Sequence, residues 1–173
     1  MKRTLVTVRC METHDLEAVA ELDRISFAFP WSIASYRYEL LENHHALLWV
    51  AEREKQIIGV LVAWLILDEL HIGTLAVHPN HRQQGIGTKL VENVLRESIA
   101  RGATLSHLEV RKSNLPAQVL YHHFGFEIVG ERKGYYPDNR EDAVLMSVNG
   151  LGEEYVRWLD ARRREGRHGA SVW

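Results

Sequence analysis

Apolar residues recur along this chain with two different periods, and the switches between them mark its elements. Over residues 4–10 they alternate with polar ones, as in a half-buried strand. Leu16, Val19, Ala20 and Ile25 then follow helical spacing across residues 15–27, with Thr13 or Asp15 as the cap and Pro30 as the stop. Ser32 restarts a short helix that puts Ile33, Tyr36, Leu40 and Leu41 on one face. Two β-rich runs, 46–53 and 57–67, flank the polar Glu54-Lys55-Gln56 and predict a hairpin. Residues 70–77 extend this meander after Asp68-Glu69, and His78-Pro79-Asn80 ends it.

Residues 88–101 carry the clearest helical signal. Leu90, Val91, Val94, Leu95, Ser98 and Ile99 form one stripe, and Gly102 stands where a C-terminal cap glycine belongs. A strand over 104–110 follows. Ser113 or Asn114 caps the next helix, which has Pro116 in its first turn and Gly125 at its end. Residues 126–130 and 143–148 read as the last strands, joined by a polar loop over 131–142. Residues 151–164 form a terminal helix, and 166–173 a loose tail. The order β-α-α-β-β-β-α-β-α-β-β predicts an α/β fold, a sheet of mixed direction flanked by helices.

Composition narrows the function classes. A chain of 173 residues suits one ordinary domain. Its 21 Lys and Arg against 23 Asp and Glu leave a net charge of −2, with no general drive toward DNA or an anionic membrane. Cys10 is the single cysteine, so no internal disulfide forms. The longest apolar run, 57–67, is interrupted by Gly59 and too short to span a bilayer. The first residues alternate like a strand and lack a signal-peptide core, so a cytoplasmic location is expected. His78, His81, His122 and His123 match no zinc-helix spacing, and no metal site is expected.

The candidate chemistry begins at Arg82-Gln83-Gln84-Gly85-Ile86-Gly87, followed by Thr88. A glycine turn between a strand and a helix start gathers free backbone N–H groups at the positive end of the helix dipole, a site for phosphate. The third glycine of a dinucleotide fingerprint is missing, since Leu90 stands there. Leu90 also stands where a P-loop places Ser or Thr after its lysine. Arg82, Gly85 and Gly87 do fit the pattern [QR]-x-x-G-x-[GA].

That pattern resembles the acetyl-CoA loop of the GNAT N-acetyltransferases. Two other stretches share the resemblance. One is Leu75-Ala76-Val77-His78-Pro79. The other pairs Leu108-Glu109-Val110-Arg111-Lys112-Ser113-Asn114 with Leu120-Tyr121-His122-His123-Phe124-Gly125-Phe126. The resemblance covers residues 4 to 149. It is strongest to the RimI type, which acetylates the N-terminal alanine of a ribosomal protein. Phe29-Pro30-Trp31-Ser32, Tyr135-Tyr136-Pro137 and Arg140-Glu141-Asp142-Ala143 carry that subtype. Residues 1–150 thus read as one acetyltransferase domain, while 151–173 stay unassigned.

The resemblance implies a GNAT fold, a mostly antiparallel mixed sheet with splayed strands at the acetyl-CoA site. It implies that acetyl-CoA is held by Leu75, Ala76, Val77, Arg82, Gln83, Gln84, Gly85, Ile86, Gly87, Thr88 and Asn114. Glu109 becomes the general base and Tyr121 the general acid, with Trp31, Tyr135 and Tyr136 on the acceptor side. Structural roles stand beside each: an edge salt bridge for Glu109, sheet packing for Tyr121, a helix cap for Asn114, a core plug for Trp31. Glu131, Asp138, Glu141 and Asp142 could favour a basic peptide. An α-amine, pKa about 7.7–8.0, is also easier to deprotonate than lysine at about 10.4. The expected partner is therefore a protein N-terminus, possibly a ribosomal protein's; oligomeric state is left open. Acetylation of lysine or a small amine is the first rival, and a non-catalytic acyl-CoA-binding module the second.

Overall fold

The structure, a computed structural model, describes residues 5–168. It is a seven-stranded sheet in the order β1-β2-β3-β4-β5-β7-β6. The strands are β1 (Thr7–Cys10), β2 (Ala46–Arg53), β3 (Gln56–Ile66), β4 (Glu69–Val77), β5 (Leu105–Arg111), β6 (Glu127–Arg132) and β7 (Ala143–Asn149). Only the β4–β5 pair is parallel; every other pairing is antiparallel. The helices are α1 (Leu16–Ser26), α2 (Ile33–Leu41), α3 (Ile86–Ala100), α4 (Leu115–His123) and α5 (Glu153–His168). The expected α/β fold and element order are present.

Each face of the sheet builds its own core. Leu16, Val19, Leu22 and Tyr36 of α1 and α2 cover Leu48, Val50, Val60, Val62 and Ala76. On the other face, the α3 stripe of Leu90, Val91, Val94 and Leu95 packs with Leu61, Leu108, Val110, Phe124 and Met146. Full burial of one such side chain contributes about 1.5–3 kcal/mol, so this stripe anchors α3 and, with it, the loop that precedes it. Leu159 of α5 is buried in the same core, and the Tyr155 hydroxyl donates to the Phe124 carbonyl at 2.6 Å.

Several local expectations need correction. α3 begins at Ile86, two residues before the expected start, because Gly85 takes the N-cap position at φ 74°. The β2–β3 hairpin turns on Glu54 and Lys55 alone, both left-handed at φ 51° and 65°, the conformation of a tight two-residue hairpin. A 3-10 turn at Thr13–Asp15 precedes α1, capped by a reciprocal pair between Glu12 and Asp15. The proposed α2 face is not a buried stripe. Tyr36 is fully buried, while Ile33 and Leu41 are exposed. α5 runs to His168, so part of the expected tail is helical; residues 169–173 lie outside the described region, as does Thr4 of the first predicted strand.

Candidate active site

β4 and β5 are hydrogen-bonded neighbours from Glu69↔Leu105 to Ile72↔Leu108, and there the pairing ends. Beyond it the two strands part. The reason lies on the other edge of β4, where Gly73 sits at a register shift against β3 and the Trp64 ring lies so close that any Cβ there would overlap it. Between the parted strands opens a cavity of about 500 Å³. Ile72, Gly73, Thr74 and Leu75 line one wall and Glu109, Val110 and Arg111 the other. Asn114, Ala117 and Tyr121 of α4 close one side, while Asp23, Phe27, Phe29, Trp31 and Tyr136 close the other. The splayed-strand expectation holds, and the free edge of β4 can pair with an extended ligand arm.

Glu109 lies on the β5 face opposite Leu108 and Val110, part-exposed and lining the cavity. Its Oε1 is 3.2 Å from Arg132 Nη1 of β6. Both readings of this residue are therefore present, an edge ion pair and a carboxylate facing the cavity. Tyr121 is 5% exposed, and its ring stacks near Phe126 at 5.7 Å. Among the described residues, Arg53 Nε is the one fully buried side-chain polar atom with no partner. The Tyr121 hydroxyl, with no hydrogen bond of its own, thus opens onto the cavity. Burial pushes the phenol pKa well above its ordinary value.

The 82–88 loop follows the end of β4 and lies outside the cavity proper. The first amide to find a helical acceptor is Lys89, bonded to the Gly85 carbonyl at 3.1 Å. The amides of Ile86, Gly87 and Thr88 therefore point out of the helix end, where an anion would meet them. Gly87 abuts α4: a Cβ there would stand 3.2 Å from Leu120. The Ile86 side chain is buried in the core, so it has only its amide to offer. Arg82 turns back, donating to the Val77 carbonyl at 3.0 Å. Gln83 is left-handed at φ 58°, and Gln84 is tied to Arg53. Leu75 faces the cavity; Val77 packs toward α3, and Ala76 is buried on the opposite face, so their backbone alone can reach a ligand. Asn114, not Ser113, caps α4, accepting from the Ala117 amide at 3.2 Å. It also lines the cavity.

The acceptor side divides the aromatic candidates. Trp31 packs on Tyr36 at 5.3 Å and Trp64 at 6.0 Å and also lines the cavity, so plug and wall are one residue. The buried carboxyl of Asp23 holds it, accepting from the Trp31 amide at 2.6 Å and the Tyr36 hydroxyl at 2.7 Å. Burial raises the Asp23 pKa in spite of those two donors. Tyr136 lines the cavity under the Arg111 guanidinium, 3.9 Å from its ring. Burial pushes its phenol up to about 12. Tyr135 is 43% exposed and stays outside the cavity, edge-on to Tyr136.

The four acids expected to favour a basic peptide are all ion-paired. Asp138 and Glu141 pair with Arg111, Glu131 with Lys112 and Lys133, and Asp142 with Lys133. The Ser113 hydroxyl and amide, with Arg111, hold Glu141 down to about 2. These carboxylates brace the 131–142 loop against β5, all four engaged in ion pairs with three cations. Sequence reading missed Asp23, Phe27, Thr74 and Arg111 as cavity walls, since nothing local marks which turn of α1 or which end of β5 faces a gap. Among the described residues no group of three or more His, Cys, Asp or Glu side chains could hold a metal ion, and no helix is long and apolar enough to cross a membrane.

The acetyltransferase (GNAT) family profile matches residues 16–126, from the start of α1 through the loop, β5 and α4. The chain belongs to the acetyltransferase (GNAT) family. Escherichia coli (strain K12) ribosomal protein bS18-alanine N-acetyltransferase is 33% identical over 144 residues, spanning 82% of this chain and 96% of that one. A candidate enzyme of the same name from Bacillus subtilis (strain 168) is 38% identical over 146 residues, 84% of this chain and 97% of its own. The crystal structure of the Escherichia coli ribosomal-protein-S18-alanine N-acetyltransferase superposes with a TM-score of 0.78 at 30% identity, covering 86% of this chain and 96% of that one. In this GNAT chain, acetyl-CoA is the co-substrate, and the parted strands with the open amides of α3 fit its extended arm and its anionic end.

Proposed function

We propose that this acetyltransferase moves the acetyl group of acetyl-CoA onto the α-amine of an N-terminal alanine, in a ribosomal protein of the cytoplasm. The observation that carries this reading is the match along nearly the whole length of relatives named for that activity. In the proposed reaction the amine nitrogen attacks the thioester carbonyl directly. The C–N bond forms, and the C–S bond breaks in the same ternary complex. Glu109 takes the proton from nitrogen, through a water if needed, and Tyr121 gives its hydroxyl proton to the departing sulfur. Positioning both substrates between β4 and β5 removes the need for an acyl-enzyme. Leu75 to Val77 and Asn114 would hold the cofactor arm, the amides of residues 85–88 its pyrophosphate. Trp31, held by Asp23, and Tyr136 would wall the acceptor.

The acceptor is tested with a short peptide that begins with alanine and also contains lysine. Mass spectrometry should find one acetyl group, on the first nitrogen, and none when that amine is blocked and the lysines are left free. Equal acetylation of the blocked peptide would move the assignment to lysine. Tyr121→Phe tests the acid. We expect kcat to fall by about 10²-fold or more with acetyl-CoA affinity nearly unchanged, because the proton is needed only as sulfur leaves. Weaker binding with normal kcat would make Tyr121 a wall and nothing more.

A further inference from the structure

Arg53, the last residue of β2, reaches across to the 82–88 loop and has no part in the reaction just described. Its Nη2 donates to Gln84 Oε1 at 2.9 Å, and its Nη1 stands 3.2 Å from His81 Nδ1. Its Nε is buried with no acceptor. Gln84 in turn donates to the Asn80 carbonyl at 3.4 Å. Between the two contacts of Arg53 lies Gln83 in the left-handed region, and Gly85 follows at φ 74°. A left-handed glutamine and an unmade buried N–H are both unfavourable, and they persist only where surrounding contacts over-determine them. The guanidinium fork is the long-range contact that does so here: it ties a segment of unusual backbone to the rigid end of a strand.

We infer that Arg53 and His81 form a catch that fixes the 81–85 segment in its ligand-ready shape, making Arg53 a positioning residue for acetyl-CoA and letting the catch release in acid. This rests on the reading that the loop holds the pyrophosphate. The acid release follows from the donor. A guanidinium N–H can donate to His81 Nδ1 only while that nitrogen is unprotonated. Arg53 from β2 and His78 from the same turn, its ring 5.4 Å away, are the charged or titratable groups that act on His81. Burial first, then both of these, lowers the His81 pKa. A histidine lowered on folding contributes stability that is complete above its unfolded value, about 6.5, and lost as pH falls through the lowered one. The His81 contact is thus whole at neutral pH and breaks in acid, when His81 gains a charge beside Arg53, leaving the loop on the Gln84 contact alone.

The test is calorimetric titration of CoA, which binds without turnover, into the wild type and four variants between about pH 8 and about pH 5. Arg53→Gln should bind about tenfold more weakly at neutral pH, the effect of losing one charge-assisted hydrogen bond. With acetyl-CoA its KM should rise while kcat stays within a few-fold. Arg53→Lys should not rescue, because a point charge cannot hold two partners in a fork. His81→Gln carries an acceptor that does not titrate, so its affinity should fall less in acid than that of the wild type. The phosphate titration of CoA itself is common to both. Gly87→Val separates the two readings. If it loses affinity while Arg53→Gln does not, the catch is wrong and the loop site stands. If neither changes, the loop site is wrong and the catch falls with it. Full rescue by lysine, or identical acid profiles for the wild type and His81→Gln, would also overturn the catch. Melting curves identify any variant that fails to fold, and the His81→Gln profile then decides the question without it.

Discussion

Glu109→Gln lowers kcat by about 10²–10⁴-fold, the usual effect of removing a general base, while acetyl-CoA affinity stays near that of the wild type. The substitution keeps the size of the side chain and its place on the cavity wall between the parted strands. It also removes the ion pair to Arg132, and that loss has to be told apart from loss of the base. Arg132→Ala does so. It breaks the same pair, in which Arg132 is 55% and Glu109 34% exposed, and a pair so open to water is worth about 1 kcal/mol or less. Arg132→Ala should therefore cost little stability and change kcat only a few-fold. The measurement is kcat against pH for the three proteins with one N-terminal peptide. Wild-type turnover in Glu109→Gln, or equal losses in both variants, would make Glu109 an edge partner of Arg132 and leave the amine to lose its proton to water.

Gly87→Val weakens acetyl-CoA binding on the order of a hundredfold, about 2.7 kcal/mol. Two features of the structure combine at this residue. Its amide belongs to the open helix end, and a Cβ would meet Leu120 of α4 at 3.2 Å, so α3 must shift away from α4 or Leu120 must give. A shift moves the amides of Ile86, Gly87 and Thr88 together, and charge-assisted hydrogen bonds contribute about 1.5–3 kcal/mol each. Gly85 is limited differently. Nothing occupies the space around it, but its φ of 74° strains any residue with a side chain. Gly85→Ala should thus cost about 1 kcal/mol of backbone strain and less binding than Gly87→Val. Calorimetry on both variants, with melting temperatures to confirm folding, separates blocked approach from backbone strain. Equal affinities for Gly87→Val and the wild type would remove the pyrophosphate from this loop.

Much of the scaffold was legible because its signals are local. The α3 stripe repeats every three to four residues, and its positions from Leu90 to Ser98 are buried in the structure. Asn114 and Pro116 mark the start of α4 by chemistry that acts within one turn. Gly85 is required by backbone geometry within a few residues, and its φ of 74° is present, whereas Gly87 is required by the approach of Leu120 from α4, which only the fold supplies. The α2 face failed because helical spacing records which residues could share a face, while burial depends on what lies beneath them.

The site was legible as residue types and not as an arrangement. Glu109, Tyr121, Asn114, Trp31 and Tyr136 all reach one cavity, yet what makes it a cavity is the end of β4–β5 pairing after Ile72, beside the Trp64 ring at Gly73. The same holds for charge. Glu131, Asp138, Glu141 and Asp142 read as a set that could favour a basic peptide, and Arg111, Lys112 and Lys133 pair with all four, two of those partners coming from β5 and the loop after it. Arg53 meets its partners 28 and 31 residues downstream. The sequence by itself determined the elements, their order, the glycine turn before α3 and the residue types that line the cavity, because spacing, caps and glycine geometry act over a few residues. Only the tertiary structure decided where the strands part, which carboxylates are already paired and which arginine holds the loop, because register, burial and ion pairing are set between segments that meet only after the chain has folded.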